Sequence, residues 1–260
     1  MKCSEIIEIL EQLSPKRFAC DWDNVGLMVG SLDAHIKKIL VTLDGDDAAI
    51  DKAIETGSNL IITHHPLIFN QIKTVTADDL TGRRIIKLIE NNISLYSMHT
   101  NFDVKGGMAQ LAADMIGMKD GEVLETVCEG EGLGRVGTFQ ELLTVRQWAD
   151  KIKDIFGLPN VCVFGDLDRI VSRVAISPGS GKDFVSYAIE KEAQLFITGD
   201  INHHSGIDAN AQGLEIIDAG HYGLEHIFIK FISEYLETKL LSSSNVQIVQ
   251  MNKKIPFEIV

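Results

Sequence analysis

Apolar residues in this chain fall into short runs that stop at polar clusters, alternating with stretches in which they recur every three or four positions. Lys38-Ile39-Leu40-Val41-Thr42-Leu43 reads as a strand, Asp46 to Thr56 as a helix closed by Gly57, and Leu60-Ile61-Ile62-Thr63 as an interior strand of a parallel sheet. Together they predict a β-α-β unit. Ahead of it, Ser4 followed by Ile6, Ile7, Ile9, Leu10 and Leu13 predicts a capped amphipathic helix that Pro15 helps to end, and Asp21 to Gly30 a turn-rich loop whose Asp and Asn side chains bond their own backbone. After it come a helix over Thr81 to Asn91, a strand over Ile93 to Met98, and a helix from Gly106-Gly107 through Ile116 with Gly117 as its stop. Glycines and acids thicken between Gly121 and Gly137, which predicts a connection. Thr144 to Phe156 then forms a helix around Val145, Trp148, Ile152 and Ile155.

The second half repeats this order. An offset of 135 residues sets Lys38–Thr42 against Arg173–Ser177, Ala53-Ile54-Glu55 against Ala188-Ile189-Glu190, and Leu60–Thr63 against Leu195–Thr198 without a gap. At an offset of 121, Leu214–Asp218 matches the strand at Ile93 to Ser97. An apolar helix follows from Ile227 to Leu236, and Val246–Val249 reads as a last strand. The pattern predicts an α/β protein of internally duplicated β-α-β units, with residues 1–125 as the first copy, 126–260 as the second, and the two packed as one structural unit.

Composition narrows the partners. The 260 residues carry 24 basic and 37 acidic side chains, a net charge of −13, which argues against nucleic acid or an anionic membrane. Cys3, Cys20, Cys128 and Cys162 are scattered without a C-x-x-C, so neither a disulfide framework nor a cysteine zinc module is indicated, and a reducing compartment is expected. The first residues have no signal-peptide core and no run reaches the roughly 20 apolar residues of a membrane helix, so the expected location is the cytoplasm.

The candidate chemistry sits at strand ends. The strand at Leu60 runs into His64-His65-Pro66, and Pro66 sets the boundary because it cannot donate to a sheet. Adjacent residues of a strand point to opposite faces, so two ligands there would serve different ions; a surface pair in a loop fits the dipeptide equally well. His221 and Glu225, four apart at a helix start, can converge on one ion, though such pairs are common without metal. Two copies facing each other would bring His64, His65, Asp103, His221 and Glu225 together as ligands for two divalent ions, for which Zn²⁺, Mn²⁺, Fe²⁺ and Co²⁺ are all suitable. His99 fits a proton carrier or a structural histidine, as do His203 and His204. Asp200 and Asp218 fit either orienters of imidazoles or helix caps, and His35 reads as surface. Ser177-Pro178-Gly179-Ser180-Gly181-Lys182 imitates a phosphate loop, but Ile176 and Asp183 stand where that motif needs Gly and Ser or Thr; only a weaker anion-receiving role is left to it.

Asp21-Trp22-Asp23-Asn24-Val25-Gly26-Leu27, Ile62 to Phe69, Ser97 to Asp103, Thr198-Gly199-Asp200 and Asp218 to Glu225 together resemble the Nif-three-like family, the GTP cyclohydrolase 1 type 2 homologues. The resemblance covers nearly the whole chain and implies a duplicated Nif-three-like α/β fold with a dinuclear metal site between the halves and a ring-shaped homohexamer. In it, His64, His65, Asp103, His221 and Glu225 stand at the ligand positions. Some members carry a domain inserted at mid-chain; Gly121 to Val161 is too short to hold one. The function expected is a metal-dependent hydrolase acting on a nucleotide-like or phosphoester substrate through a metal-activated hydroxide, with His99 as proton shuttle. The alternative is a non-enzymatic metal-handling or scaffold protein.

Overall fold

Three parallel strands stacked side by side explain the shortest and most apolar runs of the first half. The computed structural model describes residues 1–240 and 245–259. Its chain divides into two compact units, one of residues 1–106 and 228–254 and the other of residues 107–227 with the C-terminal residues from Ile255. The expected cut at 125/126 falls inside a strand, and the units are not consecutive segments, because the last helix and strand join the sheet of the first unit.

In the first unit β1 (Gly26–Val29), β2 (Lys38–Thr42), β3 (Leu60–Thr63), β4 (Ser94–Ser97) and β11 (Gln247–Gln250) form one sheet in the order β1-β4-β3-β2-β11. All pairs are parallel except β1 with β4. Every residue of β3 is buried, as an interior parallel strand covered on both faces requires. The helices are α1 (Cys3–Leu13), α2 (Asp47–Thr56), α3 (Leu80–Glu90), the short α4 (Thr100–Val104) and, from Phe228 on, α10 (Ile227–Leu240). Asp46 caps α2 by accepting from the Ala49 N–H at 2.8 Å, and Asp79 caps α3 through the Gly82 N–H at 2.7 Å. Leu40, Ile50, Ile61, Leu88 and Leu95 form the centre of this core. Each such side chain contributes about 1.5–3 kcal/mol by leaving water.

The second unit has a six-stranded sheet of β5 (Glu122–Cys128), β6 (Glu131–Thr144), β7 (Cys162–Phe164), β8 (Ile170–Ser180), β9 (Leu195–Gly199) and β10 (Glu215–Asp218), ordered β5-β6-β8-β9-β10-β7. Strands β8, β9 and β10 are parallel and the others antiparallel. Its helices are α5 (Met108–Ile116), α6 (Val145–Phe156), α7 (Val185–Glu190), α8 (His203–Ala211) and α9 (His221–Glu225). Each unit pairs its parallel strands in the register the sequence offsets demand. Ile39 faces Leu60 and Val41 faces Ile62, while Val174 faces Leu195 and Ile176 faces Ile197, a displacement of 135 on both strands. Tyr96 beside Ile62 and Ile217 beside Ile197 keep the offset of 121.

Three local expectations are corrected. Part of the Asp21–Gly30 loop is β1, because Leu27 and Val29 find partners on β4. The supposed connection over 121–137 is the β5–β6 hairpin, turned at Glu129 and Gly130, both with positive φ. Its glycines mark strand contact: a Cβ on Gly132 would lie 1.9 Å from the Glu125 carbonyl oxygen. The first helix begins at Cys3, with the Glu5 carboxylate reaching back to the Lys2 N–H, so Ser4 lies inside it and is not its cap.

Candidate metal centre

The carboxyl ends of β2, β3 and β4 carry the polar residues of the first unit. The chain turns sharply after Thr63, so that the N–H groups of both His64 and His65 donate to the Leu43 carbonyl, at 3.1 and 3.0 Å. His64 is fully buried and its Nδ1 lies 2.8 Å from the Met98 carbonyl oxygen. That oxygen can only accept, so Nδ1 carries a proton. The same arrangement recurs twice: His65 Nδ1 is 2.7 Å from Asp44 Oδ1, and His99 Nδ1 is 2.9 Å from Asp23 Oδ1. The three histidines bring ring nitrogens within 4.8 Å of one another, and their ring centroids are 5.1–5.6 Å apart. Asp103, on α4, sets Oδ1 3.5 Å from His64 Nε2. Phe102 and Phe228 flank the His64 ring and give the cluster an apolar back.

Asp23 is the buried anchor of this group. Burial alone would raise its pKa, but the hydrogen bond and attraction of His99, together with the Thr100 hydroxyl at 2.6 Å and N–H at 3.0 Å, outweigh burial and hold it at about 2. It is therefore ionised and fixes His99 in one orientation.

In the second unit His221 opens α9 and Glu225 closes it. His221 Nε2 is 2.9 Å from Glu225 Oε2, and its Nδ1 is 2.8 Å from Asp200 Oδ2. Asp200 holds that position in a left-handed conformation, φ 55°, which is uncommon for a residue with a side chain. Glu225 is buried, and Gly179 makes room for it: a Cβ there would stand 2.5 Å from Glu225 Oε1, at a φ of 83°. Gly179 and Gly181 serve close approach, to Glu225 and to Thr198, and a single 3-10 turn over Lys182–Phe184 follows Gly181 and leads into α7.

Of the residues expected from the sequence, His64, His65, His99 and Asp103 come together in the first unit, and His221 and Glu225 in the second. Asp200 orients an imidazole, whereas Asp218 accepts from the Ile201 and Gly220 N–H groups. His203 and His204 meet edge to face at the start of α8, and His35 is exposed. Asp44 was not anticipated, although it follows the apolar run of β2 just as His64 follows β3. Asp23 was read as a loop residue bonding its own backbone. It does accept from the Asn24 N–H, yet its main partners stand on α4 and the preceding turn.

An imidazole whose Nδ1–H is held by a carboxylate or carbonyl, with Nε2 turned to a shared point, is the form histidine takes as a metal ligand. Imidazoles with nearby carboxylates suit Zn²⁺, Mn²⁺, Fe²⁺ and Co²⁺, so the donor set fits divalent ions.

The chain is similar to known proteins over nearly its whole length. The sequence pattern of the Duf34/NIF3 (NGG1p interacting factor 3) family matches residues 1–256. The GTP cyclohydrolase 1 type 2 homolog of Clostridium perfringens is 40% identical over 264 residues, covering all of both chains, and that of Methanocaldococcus jannaschii is 35% identical over 92% of this chain and 96% of its own. Among solved structures, a Bacillus cereus protein related to NIF3 superposes with a TM-score of 0.92 at 26% identity, covering 100% of this chain and 99% of the other. Reduced HcgD from Methanocaldococcus jannaschii does so with a TM-score of 0.83 at 33% identity, over 96% and 97%. The chain belongs to the Duf34/NIF3 family.

Proposed function

We propose that this protein binds two divalent metal ions and acts as a metal-dependent hydrolase on a nucleotide-like or phosphoester substrate. The observation that supports this most is the triple repetition of one device: His64, His65 and His99 each have Nδ1 held by an oxygen acceptor, with their ring nitrogens converging. In the proposal His64, His65, Asp103, His221 and Glu225 are the ligands. The internal duplication is supported by the matching strand registers. Bound there, divalent ions supply Lewis acidity and lower the pKa of water to near neutrality.

The chain's own residues do the rest. Met98 O, Asp44 and Asp200 hold the ligand imidazoles in the tautomer that presents Nε2. Asp23 holds His99 so that it can take up and return a proton at Nε2. Glu225, with two oxygens, is the residue suited to bridge both ions. A homohexamer in the cytoplasm completes the proposal; among the described residues no helix is long and apolar enough to cross a membrane, and all four cysteines are free. Light scattering after gel filtration reads the assembly, and a monomer at micromolar concentration contradicts it.

The test is metal analysis of the purified protein, then a screen of nucleotides and phosphoesters with the identified metal restored. Turnover that disappears when His64 or Glu225 is replaced supports a hydrolase. Ready metal exchange with no turnover of any substrate supports the non-enzymatic metal-handling role instead.

A further inference from the structure

Two large aromatic side chains of the first unit stand in water beside the histidine cluster. Trp22 is 61% exposed and Phe69 50% exposed, with ring centroids 5.9 Å apart. Each also meets His99, at 6.1 Å for Trp22 and 6.4 Å for Phe69. Folding gains little from rings left this exposed, and adjoining exposed aromatics mark a binding surface more often than chance.

These rings are held in place from the adjoining residues. Asp23, next to Trp22, is fixed by Thr100 and His99. Asn24 donates through Nδ2 to the Ile68 carbonyl at 2.6 Å, tying the segment that carries Trp22 to the residue before Phe69. The wall is therefore set before any ligand arrives, which removes an ordering cost from binding. Its two rings are flat and uncharged. Residues 19–36 and 64–72 contain no lysine or arginine, Asp21 is exposed beside Trp22, and the chain carries −13 overall. The two rings can stack a planar heterocycle, whose two faces suit aromatic partners.

We propose that Trp22 and Phe69 form a stacking wall for a planar aromatic heterocycle, such as a nucleobase, and thereby select the substrate whose reacting group faces His99. This rests on the reading of the neighbouring cluster as the metal centre and names the class of molecule it takes.

The experiment uses the metal-loaded full-length chain and follows tryptophan emission during titration with adenosine, guanosine and, as a ring-free control, ribose 5-phosphate. Trp148 is fully buried and gives a constant background, so quenching reports Trp22. Both nucleosides are expected to quench saturably and ribose 5-phosphate is not. Equilibrium dialysis should then find nucleoside binding weakened about tenfold or more by Trp22→Leu and within about threefold of wild type for Trp22→Phe. Metal content and circular dichroism of every sample are measured alongside. No saturable quenching up to about 5 mM nucleoside in protein that holds its metal overturns the stacking wall and leaves the metal centre standing. Absence of metal with nucleoside quenching intact does the reverse. Quenching that follows protein concentration and ignores nucleoside makes the wall an interface between copies and also overturns the proposal.

Discussion

Asp23 and His99, 76 positions apart, meet with Oδ1 2.9 Å from Nδ1, and neither is accessible enough for water to replace the other. Because Asp23 is held at about 2 in the folded chain against an ordinary 3.8, it contributes stability that is fully present above pH 3.8 and is lost as pH falls toward 2. Asp23→Asn should therefore lower stability by about 1–2 kcal/mol at neutral pH and by progressively less in acid, with the two unfolding curves converging near pH 2. Urea denaturation at a series of pH values checks this, and a difference independent of pH contradicts it.

His99 is assigned the proton-transfer role in the proposed reaction. His99→Ala should reduce turnover by roughly 10²–10⁴-fold while metal content stays near that of wild type. Loss of metal in proportion to loss of activity would make His99 a ligand, which its position among the ring nitrogens also permits.

Gly179 faces a buried carboxylate at a φ that favours glycine. Gly179→Ala should cost about 1–3 kcal/mol, because the strand must shift both for the backbone and for the Glu225 side chain. The same substitution should weaken metal binding, whereas Gly57→Ala, at a helix end with nothing within 4 Å of the added Cβ, should cost stability alone. Thermal unfolding and metal titration of the two variants separate the effects.

How much of this was legible depended on where the signal lay. Apolar runs such as Leu60–Thr63 and the Asp46 and Gly57 boundaries of α2 could be read because local periodicity and capping chemistry dictate them. The hairpin of β5 and β6 could not, since Gly132 is there for contact with a neighbouring strand and reads locally as a breaker. The histidines drew attention because His64-His65 and His99 each follow the apolar run of a strand, and the structure gathers their rings. Asp23 and Asp44 were not, because an aspartate in a turn is ordinary until the fold brings a histidine to it from 76 or 21 positions away. The C-terminal strand was recognised as a strand, but its return to β2 of the first unit follows from long-range pairing that no local pattern encodes.

Cys3 is fully buried, and burial pushes its thiol pKa up, whereas Cys162 is exposed. The folded chain keeps this thiol protonated where the unfolded chain ionises, so stability is unaffected below the ordinary 9.0 and falls as pH rises from there toward the folded value. At pH 8 an aromatic disulfide reagent should therefore label Cys162 quickly and Cys3 only after denaturant is added. Peptide mapping by mass spectrometry would show it, and rapid labelling of Cys3 in the native protein would mean that α1 opens readily.

The central claim is that His64, His65, Asp103, His221 and Glu225 hold a pair of ions, and the most direct measurement is calorimetric titration of metal-free protein with Zn²⁺ or Mn²⁺, paired with elemental analysis, for the wild type and Glu225→Gln. The account predicts two equivalents in the wild type. Glu225→Gln should weaken both by roughly 10–100-fold or more, as loss of a bridging carboxylate demands, while His64→Ala or His221→Ala should chiefly weaken one. Fewer than two equivalents in the wild type, or two bound as tightly by Glu225→Gln, would contradict it.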